Sequence, residues 1–150
     1  MLNTVTASQG GVKQVYHYLS SELAEVNEII SSCFEGKEPL IISIAEHFIQ
    51  NRGKKIRPLL TILSAKLIGY TGLEHIKLAA AVELIHLATL LHDDVIDNSV
   101  LRRTIPSANF LWGNKASILA GDFFFSQAFK LMVSTNSLAS LELLAGSSAL

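Results

Sequence analysis

The sequence predicts an all-α fold, an antiparallel bundle of helices, on three observations. Apolar residues recur at three- and four-residue spacing along most of the 150 residues. No stretch alternates as a half-buried strand does, and Pro39, Pro58, Gly69, Pro106 and Gly113 fall where the helical periodicity breaks. The chain is also apolar for its length, at 49% hydrophobic residues and a mean hydropathy of +0.38, as expected of helices buried on more than one side.

Taken in order, residues 12–33 form one amphipathic helix, with Val12, Val15, Leu19, Leu23, Val26 and Ile30 on its apolar stripe. "EGKEP" ends it, and Pro39 suits the first turn of a second helix, "LIISIAEHFIQ". "RPLLTILSAKLIG" is a third helix, closed by Gly69. A long helix rich in Ala and Leu runs from about Leu73 to about Val100. "RRTIPSANFLWGN" is a loop, residues 115–134 are another apolar helix, and "LASLELLAGSSAL" begins a further one. That last helix has no cap or polar tail, so residues 1–150 read as the N-terminal portion of a single larger helical domain, a truncated bundle.

Composition narrows the function. A net charge of −1 and a pI near 6.5 suit neither a nucleic-acid binder nor an anionic-membrane binder. The single cysteine, Cys33, fits a cytoplasmic protein and reads as a small apolar filler. The N-terminus lacks the apolar core of a signal peptide. Glu83 and His86, and likewise Asp122 and Lys130, interrupt the two longest apolar stretches, so no transmembrane segment is expected.

Chemistry concentrates in "LLHDDVIDNSVLRR", residues 90–103. Three of the chain's four aspartates, Asp93, Asp94 and Asp97, fall within five positions at the end of an apolar helix. Asp93 and Asp97 lie about 40° apart on one helical face. Like charges at that spacing repel, and the helix C-terminus is already negative, so the cluster calls for a counter-charge. A hard divalent cation such as Mg²⁺, which takes one or two carboxylates and completes its shell with water and phosphate oxygens, is suited to it. Back along the same face lie Thr89, His86 and Val82, a stripe that reads as a pocket wall with a charged mouth and an apolar interior. Two other readings stay open: a solvated acidic helix end, and a His-Asp metal phosphohydrolase using His92 and Asp93 with His86 or His75. An EF-hand is excluded by spacing and by the missing closing Glu.

A second cluster, "NRGKKIRP", gathers Arg52, Lys54, Lys55 and Arg57 where a helix begins. Backbone N–H groups there attract anions, and a Lys point charge beside an Arg fork suits a diphosphate. Alone it would read as a solvated basic loop; beside the aspartates and the Arg102–Arg103 pair it reads as an anion site. Asp122 reads as a buried, hydrogen-bonded structural residue, and Phe110, Trp112 and Phe123–Phe125 as core or interface.

"GKKIRP", "ELIHLATLLHDDVIDNSVLRR" and "WGNKASILAGDFFFSQAF" together closely resemble the N-terminal half of trans-isoprenyl diphosphate synthases, above all the long-chain, octaprenyl-type enzymes. The resemblance runs from about residue 10 onward. It implies an isoprenoid-synthase bundle around a deep cavity, usually homodimeric, in which an allylic diphosphate condenses with isopentenyl diphosphate for isoprenoid (quinone side chain) biosynthesis. It implies that Asp93, Asp94 and Asp97 bind Mg²⁺ on the allylic diphosphate, which Arg102 also contacts. It further implies that Lys54, Arg57, His86 and Arg103 hold isopentenyl diphosphate. Ala88 and Thr89, small residues one turn below the aspartates, imply a deep pocket and a long product, though close helix packing would use them equally well. Thr104 departs from the family's usual Gly, and Ser107 from its Thr. The family's second aspartate-rich motif lies in its C-terminal half and is absent from this sequence. The lone chain is therefore expected to be incomplete as a catalyst, a split or truncated product working with a complementary C-terminal half, and to expose apolar faces that favour aggregation.

Overall fold

A 23-residue helix, α5 (Glu74–Ile96), is the axis on which the second, fourth, sixth and seventh helices pack in this computed structural model, which describes residues 9–50 and 53–148. Around it lie α1 (Gln9–Tyr18), α2 (Ser20–Ser32), α3 (Pro39–Gln50), α4 (Ile56–Leu67), α6 (Ala108–Trp112), α7 (Asn114–Val133) and α8 (Leu138–Ser148). The all-α expectation holds among the described residues, with one small exception: β1 (Leu101–Arg102) and β2 (Ile105–Pro106) form a two-residue-per-strand antiparallel hairpin. The signal-peptide expectation and Arg52 fall at least partly outside the described residues.

The core is one cluster in which Val26, Ile30, Ile44, Ile62, Leu84 and Phe124 are essentially inaccessible. Ala79, Ala80, Ala81 and Ala88 on α5 face the interior, so neighbouring helices approach closely. α7 lies along α5, with Ser117 Oγ donating to the Leu91 carbonyl at 3.0 Å. Gly121 is the tightest point: a Cβ there would sit 2.3 Å from His92 Nε2. With any larger residue there the His92 ring would have to turn away from α7. By length and composition α7 is the one helix among the described residues apolar enough to cross a membrane, Asp122 and Lys130 notwithstanding. Here its face of Ser117, Ala120, Phe124, Ala128 and Met132 is buried within the bundle.

Several elements differ from the sequence reading. The expected helix 12–33 is divided at Leu19 (φ −101°, ψ 16°), just before Ser20–Ser21. Serine pairs favour such bends because their hydroxyls compete for local backbone groups. Leu19 itself is fully buried, so the bend turns both helices onto the core. α5 stops at Ile96, four residues short of expectation, in a Schellman motif. Asn98 takes the left-handed conformation (φ 50°), its N–H donates to the Val95 carbonyl at 3.2 Å, and Ser99 N–H donates to the Asp94 carbonyl at 2.9 Å. α4 ends in the same way, at Gly69 (φ 71°).

The loop expected at 102–114 carries the hairpin and α6, both too short to announce themselves by periodicity. Arg103 (φ 59°) and Thr104 form the two-residue turn between Arg102 and its partner Ile105. Of those two only Arg103 takes a positive φ, so Thr104 stands in place of the family's Gly without left-handed backbone. Ser107 retains the hydroxyl of the Thr it replaces and donates it to the Ser99 carbonyl at 2.5 Å, pinning the hairpin to the end of α5. Asp122, expected to be buried, is exposed on the outer flank of α7, one residue past the glycine that faces α5. Among the aromatics Phe124 is core, Trp112 packs edge-on against His47 at 5.4 Å, and Phe110 faces solvent. Cys33 is half-buried, its thiol donating to the Ile29 carbonyl at 3.2 Å, and burial raises its pKa.

Candidate functional site

The Schellman turn sends the chain back over the end of α5, which brings Arg102 to Asp94. Arg102 Nε donates to Asp94 Oδ2 at 2.9 Å and Nη2 to Oδ1 at 2.7 Å, a two-point pair, while Nη2 also reaches the Leu90 carbonyl at 3.3 Å. Asp94 is 1% exposed. A buried carboxylate needs such a partner, and the planar guanidinium matches both of its oxygens.

Below this pair lies a cavity of about 350 Å³ between α5, the 53–57 segment and the hairpin. Lys54, Arg57, His86, Arg102 and Arg103 all reach it, as does Asp94. The basic residues singled out in the sequence, from Lys54 to Arg103, thus meet at one place. Their field shows on His86. Burial first, and then the charges of Arg57, Arg102 and Arg103, hold its pKa down at about 4, against a weaker upward pull from Asp93. Burial and three guanidinium groups thus keep this imidazole neutral, in a cavity whose lining is mostly basic where it is charged.

Two segments border this cavity in unusual backbone. Lys55 precedes α4 in the left-handed conformation (φ 47°), and Arg103 holds the hairpin turn. They meet across Gly53, where a Cβ would lie 2.9 Å from Arg103 Nη1; the guanidinium rests against the glycine backbone.

A second cavity, of about 330 Å³ and lined by no fully buried residue, lies between α5, α7 and α8. Val82, His86 and Thr89, the stripe read along α5, line it with Ile85, Phe125 and Leu144. His86 and Arg57 border both cavities. Thr89 therefore does line a chamber, its hydroxyl turned back to the His86 carbonyl at 2.8 Å. Ala88 is fully buried in the helix-packed core and borders neither cavity.

The aspartates do not act as one set. Asp93 and Asp97 are exposed at the end of α5, and Asp97 caps it, its N–H donating to the Asp93 carbonyl at 2.8 Å. Asp94 is turned inward to Arg102. Among the described residues no group of three or more His, Cys, Asp or Glu side chains is gathered to hold a metal. His92 is turned onto α7, stacked on Phe125 at 5.9 Å, with Nε2 3.3 Å from both the Ile118 carbonyl and Asp122 Oδ1. That placement gives the His-Asp phosphohydrolase reading no support.

Three residues bordering the first cavity went unremarked as site residues. Glu83, nearly buried, lies on the cavity face of α5; an acidic residue inside "AAAVELIHLA" was the available signal. Lys55 and His47 also border it, with His47 Nε2 3.0 Å from the Pro106 carbonyl. Lys55 belongs to the basic cluster read from the sequence, whereas no local pattern distinguished His47.

The fold is the all-α fold of the isoprenoid synthases. A decaprenyl diphosphate synthase from Rhodobacter capsulatus overlays on it with a TM-score of 0.88 at 44% identity, covering 91% of this chain and 42% of that one. A polyprenyl synthase from Caulobacter crescentus, solved with calcium and isoprenyl diphosphate, gives 0.88 at 46% identity, covering 92% and 42%. The chain belongs to the polyprenyl synthetase family: the sequence model of that family matches residues 38–149. The octaprenyl diphosphate synthase of Escherichia coli is 39% identical over 133 residues, 89% of this chain and 41% of that enzyme. The chain thus spans about two fifths of the length of the relatives it matches.

Proposed function

We propose that the chain carries the isopentenyl diphosphate site and the first metal-binding rim of a long-chain polyprenyl diphosphate synthase. The observation that carries this reading is the convergence of Lys54, Arg57, His86 and Arg103 on one cavity beside the Asp94–Arg102 pair. Those four residues would hold the diphosphate of isopentenyl diphosphate, His86 gaining a proton as the anion arrives. Arg102, fixed by Asp94 through Nε and Nη2, would offer its remaining Nη1 edge to the allylic diphosphate. Asp94 then serves Arg102, and Asp93 and Asp97 form the metal rim. Two exposed carboxylates one turn apart fit Mg²⁺, which leaves most of its octahedron to water and phosphate. Mg²⁺ held there would neutralise charge on the departing diphosphate.

The bond from the allylic carbon to its diphosphate oxygen breaks with the electron pair leaving on oxygen. The isopentenyl double bond supplies the pair for the new carbon–carbon bond, and the resulting cation would lose a proton to the departed diphosphate, its C–H pair forming the new double bond. Arg102 favours this sequence by stabilising the leaving group. Thr89 and the apolar walls of the second cavity would receive the growing tail, so that its floor, not Ala88, governs length from this half. We further propose a cytosolic homodimer, and turnover only with a complementary helical half, continuous with this chain or separate, bearing the second aspartate-rich motif. Two observations favour this requirement: the chain covers about two fifths of its relatives, and α4 leaves Ile56, Leu60 and Leu67 exposed along one side.

The test is incorporation of radiolabelled isopentenyl diphosphate with farnesyl diphosphate and Mg²⁺, by the chain alone and with a C-terminal half taken from a relative. Long products only with both halves are expected. No product from the pair would refute prenyl transfer, and equal product from the lone chain would refute the need for a partner half.

A further inference from the structure

The segment that carries Lys54 is tethered by α1 and α2, which precede the residues matched by the family's sequence model although relatives align over 89% of the chain. The match begins at residue 38. Yet the Tyr16 hydroxyl, on α1, donates to the Lys54 carbonyl, and Lys55 Nζ donates to Asn27 Oδ1, on α2, at 2.6 Å. On its other side the same segment meets the Arg103 guanidinium at Gly53. Lys55 meanwhile holds a left-handed backbone (φ 47°) at the entry to α4, a conformation that disfavours any residue with a Cβ. Such backbone persists where surrounding contacts over-determine it.

We infer that α1 and α2 form a positioning clamp for the diphosphate site: Tyr16 fixes the backbone that carries Lys54, and Asn27 draws Lys55 off toward α2, so that Lys54 and Arg57 are presented together to the anion. Tyr16 and Asn27 touch no substrate in this account; they act through the 53–57 segment. The tether contributes by ordering charged side chains before the ligand arrives, which lowers the cost of binding. It also assigns the two adjacent lysines different duties, Lys54 to the ligand and Lys55 to the fold.

The inference rests on the diphosphate-site reading, and the test separates the two. Binding of inorganic pyrophosphate to the 150-residue chain is measured by titration calorimetry for wild type, Tyr16→Phe, Asn27→Ala and Asn27→Asp, with thermal melts alongside. Tyr16→Phe and Asn27→Ala are expected to weaken binding about fivefold each, the scale of one lost hydrogen bond, at near-wild-type melting temperature. Asn27→Asp, which keeps a partner for Lys55, should bind like wild type. In a Lys54→Ala background the effect of Tyr16→Phe should shrink, since two groups acting in series are not additive. Wild-type affinity in Tyr16→Phe and Asn27→Ala, or full additivity with Lys54→Ala, would overturn the clamp while leaving the site intact. Failure of the wild type to bind pyrophosphate would overturn the site reading and the clamp with it.

Discussion

The basic cavity and the aspartate rim lie within three turns of each other on α5, yet they are finished to different degrees. On the cavity side the charges are held: Asp94 grips Arg102 at two points, Gly53 backs Arg103, and Tyr16 and Asn27 hold the segment bearing Lys54 and Lys55. On the rim, Asp93 and Asp97 stand in solvent at the end of a helix whose dipole repels them. The first region is organised by the protein alone. The second carries two exposed carboxylates with no counter-charge beside them in the described contacts, and under the proposed function a cation would complete it. One side should therefore bind an anion unaided, and the other should matter only when a divalent ion is present.

Substitutions can break this contrast. The largest effect is expected for Arg102→Ala, which strands a buried carboxylate. It should cost about 3 kcal/mol in urea unfolding, more than Asp94→Asn, whose arginine can still turn to water. Equal and small losses would mean that the pair is no anchor. Next, Gly121→Ala forces a Cβ against His92 and should destabilise by about 2 kcal/mol. If thermal melts show no loss, α5 and α7 are not fixed at that point.

His86 sharpens the contrast through pH. Its folded pKa, about 4, lies below the unfolded value of about 6.5, so between these the unfolded chain holds more protons. Its contribution to stability is therefore present above pH 6.5 and is lost as pH falls toward 4. An anion in the cavity should raise that pKa, so pyrophosphate binding near pH 5.5 should take up protons, read as a dependence of binding heat on buffer ionisation enthalpy. No uptake, or uptake that persists in His86→Asn, would remove the imidazole from the site. The smallest effect belongs to the rim. Asp93→Asn should leave stability unchanged or raise it by about 0.3 kcal/mol, because it relieves an i,i+4 repulsion. A clear loss would show that Asp93 is structural.

Much of this was legible in the sequence, for reasons that differ by residue. The helices followed from periodicity, and the pairing of "GKKIRP" with the Arg102–Arg103 dipeptide foretold that these basic residues border one cavity. The Val82–His86–Thr89 stripe foretold a cavity wall, since side chains at that spacing share a face. What stayed hidden depends on the chain's return path. Spacing sets Asp94 about 100° from Asp93 on the helix, but only the left-handed cap at Asn98 brings Arg102 back to pair with it, which no local pattern foretells. The hairpin is too short to show alternation. The Tyr16–Lys54 and Asn27–Lys55 contacts join residues 38 and 28 positions apart, beyond any local pattern.

The most direct test of the contrast is titration of pyrophosphate into the chain in EDTA and again in excess Mg²⁺, with wild type, Lys54→Ala/Arg57→Ala and Asp93→Asn/Asp97→Asn. The account predicts that wild type binds in EDTA and more tightly with Mg²⁺. It predicts that the basic double variant loses at least about tenfold in both conditions. The aspartate double variant should match wild type in EDTA and lose only the Mg²⁺-dependent gain. Absence of binding in EDTA, or a Mg²⁺-dependent gain that survives without Asp93 and Asp97, would contradict it.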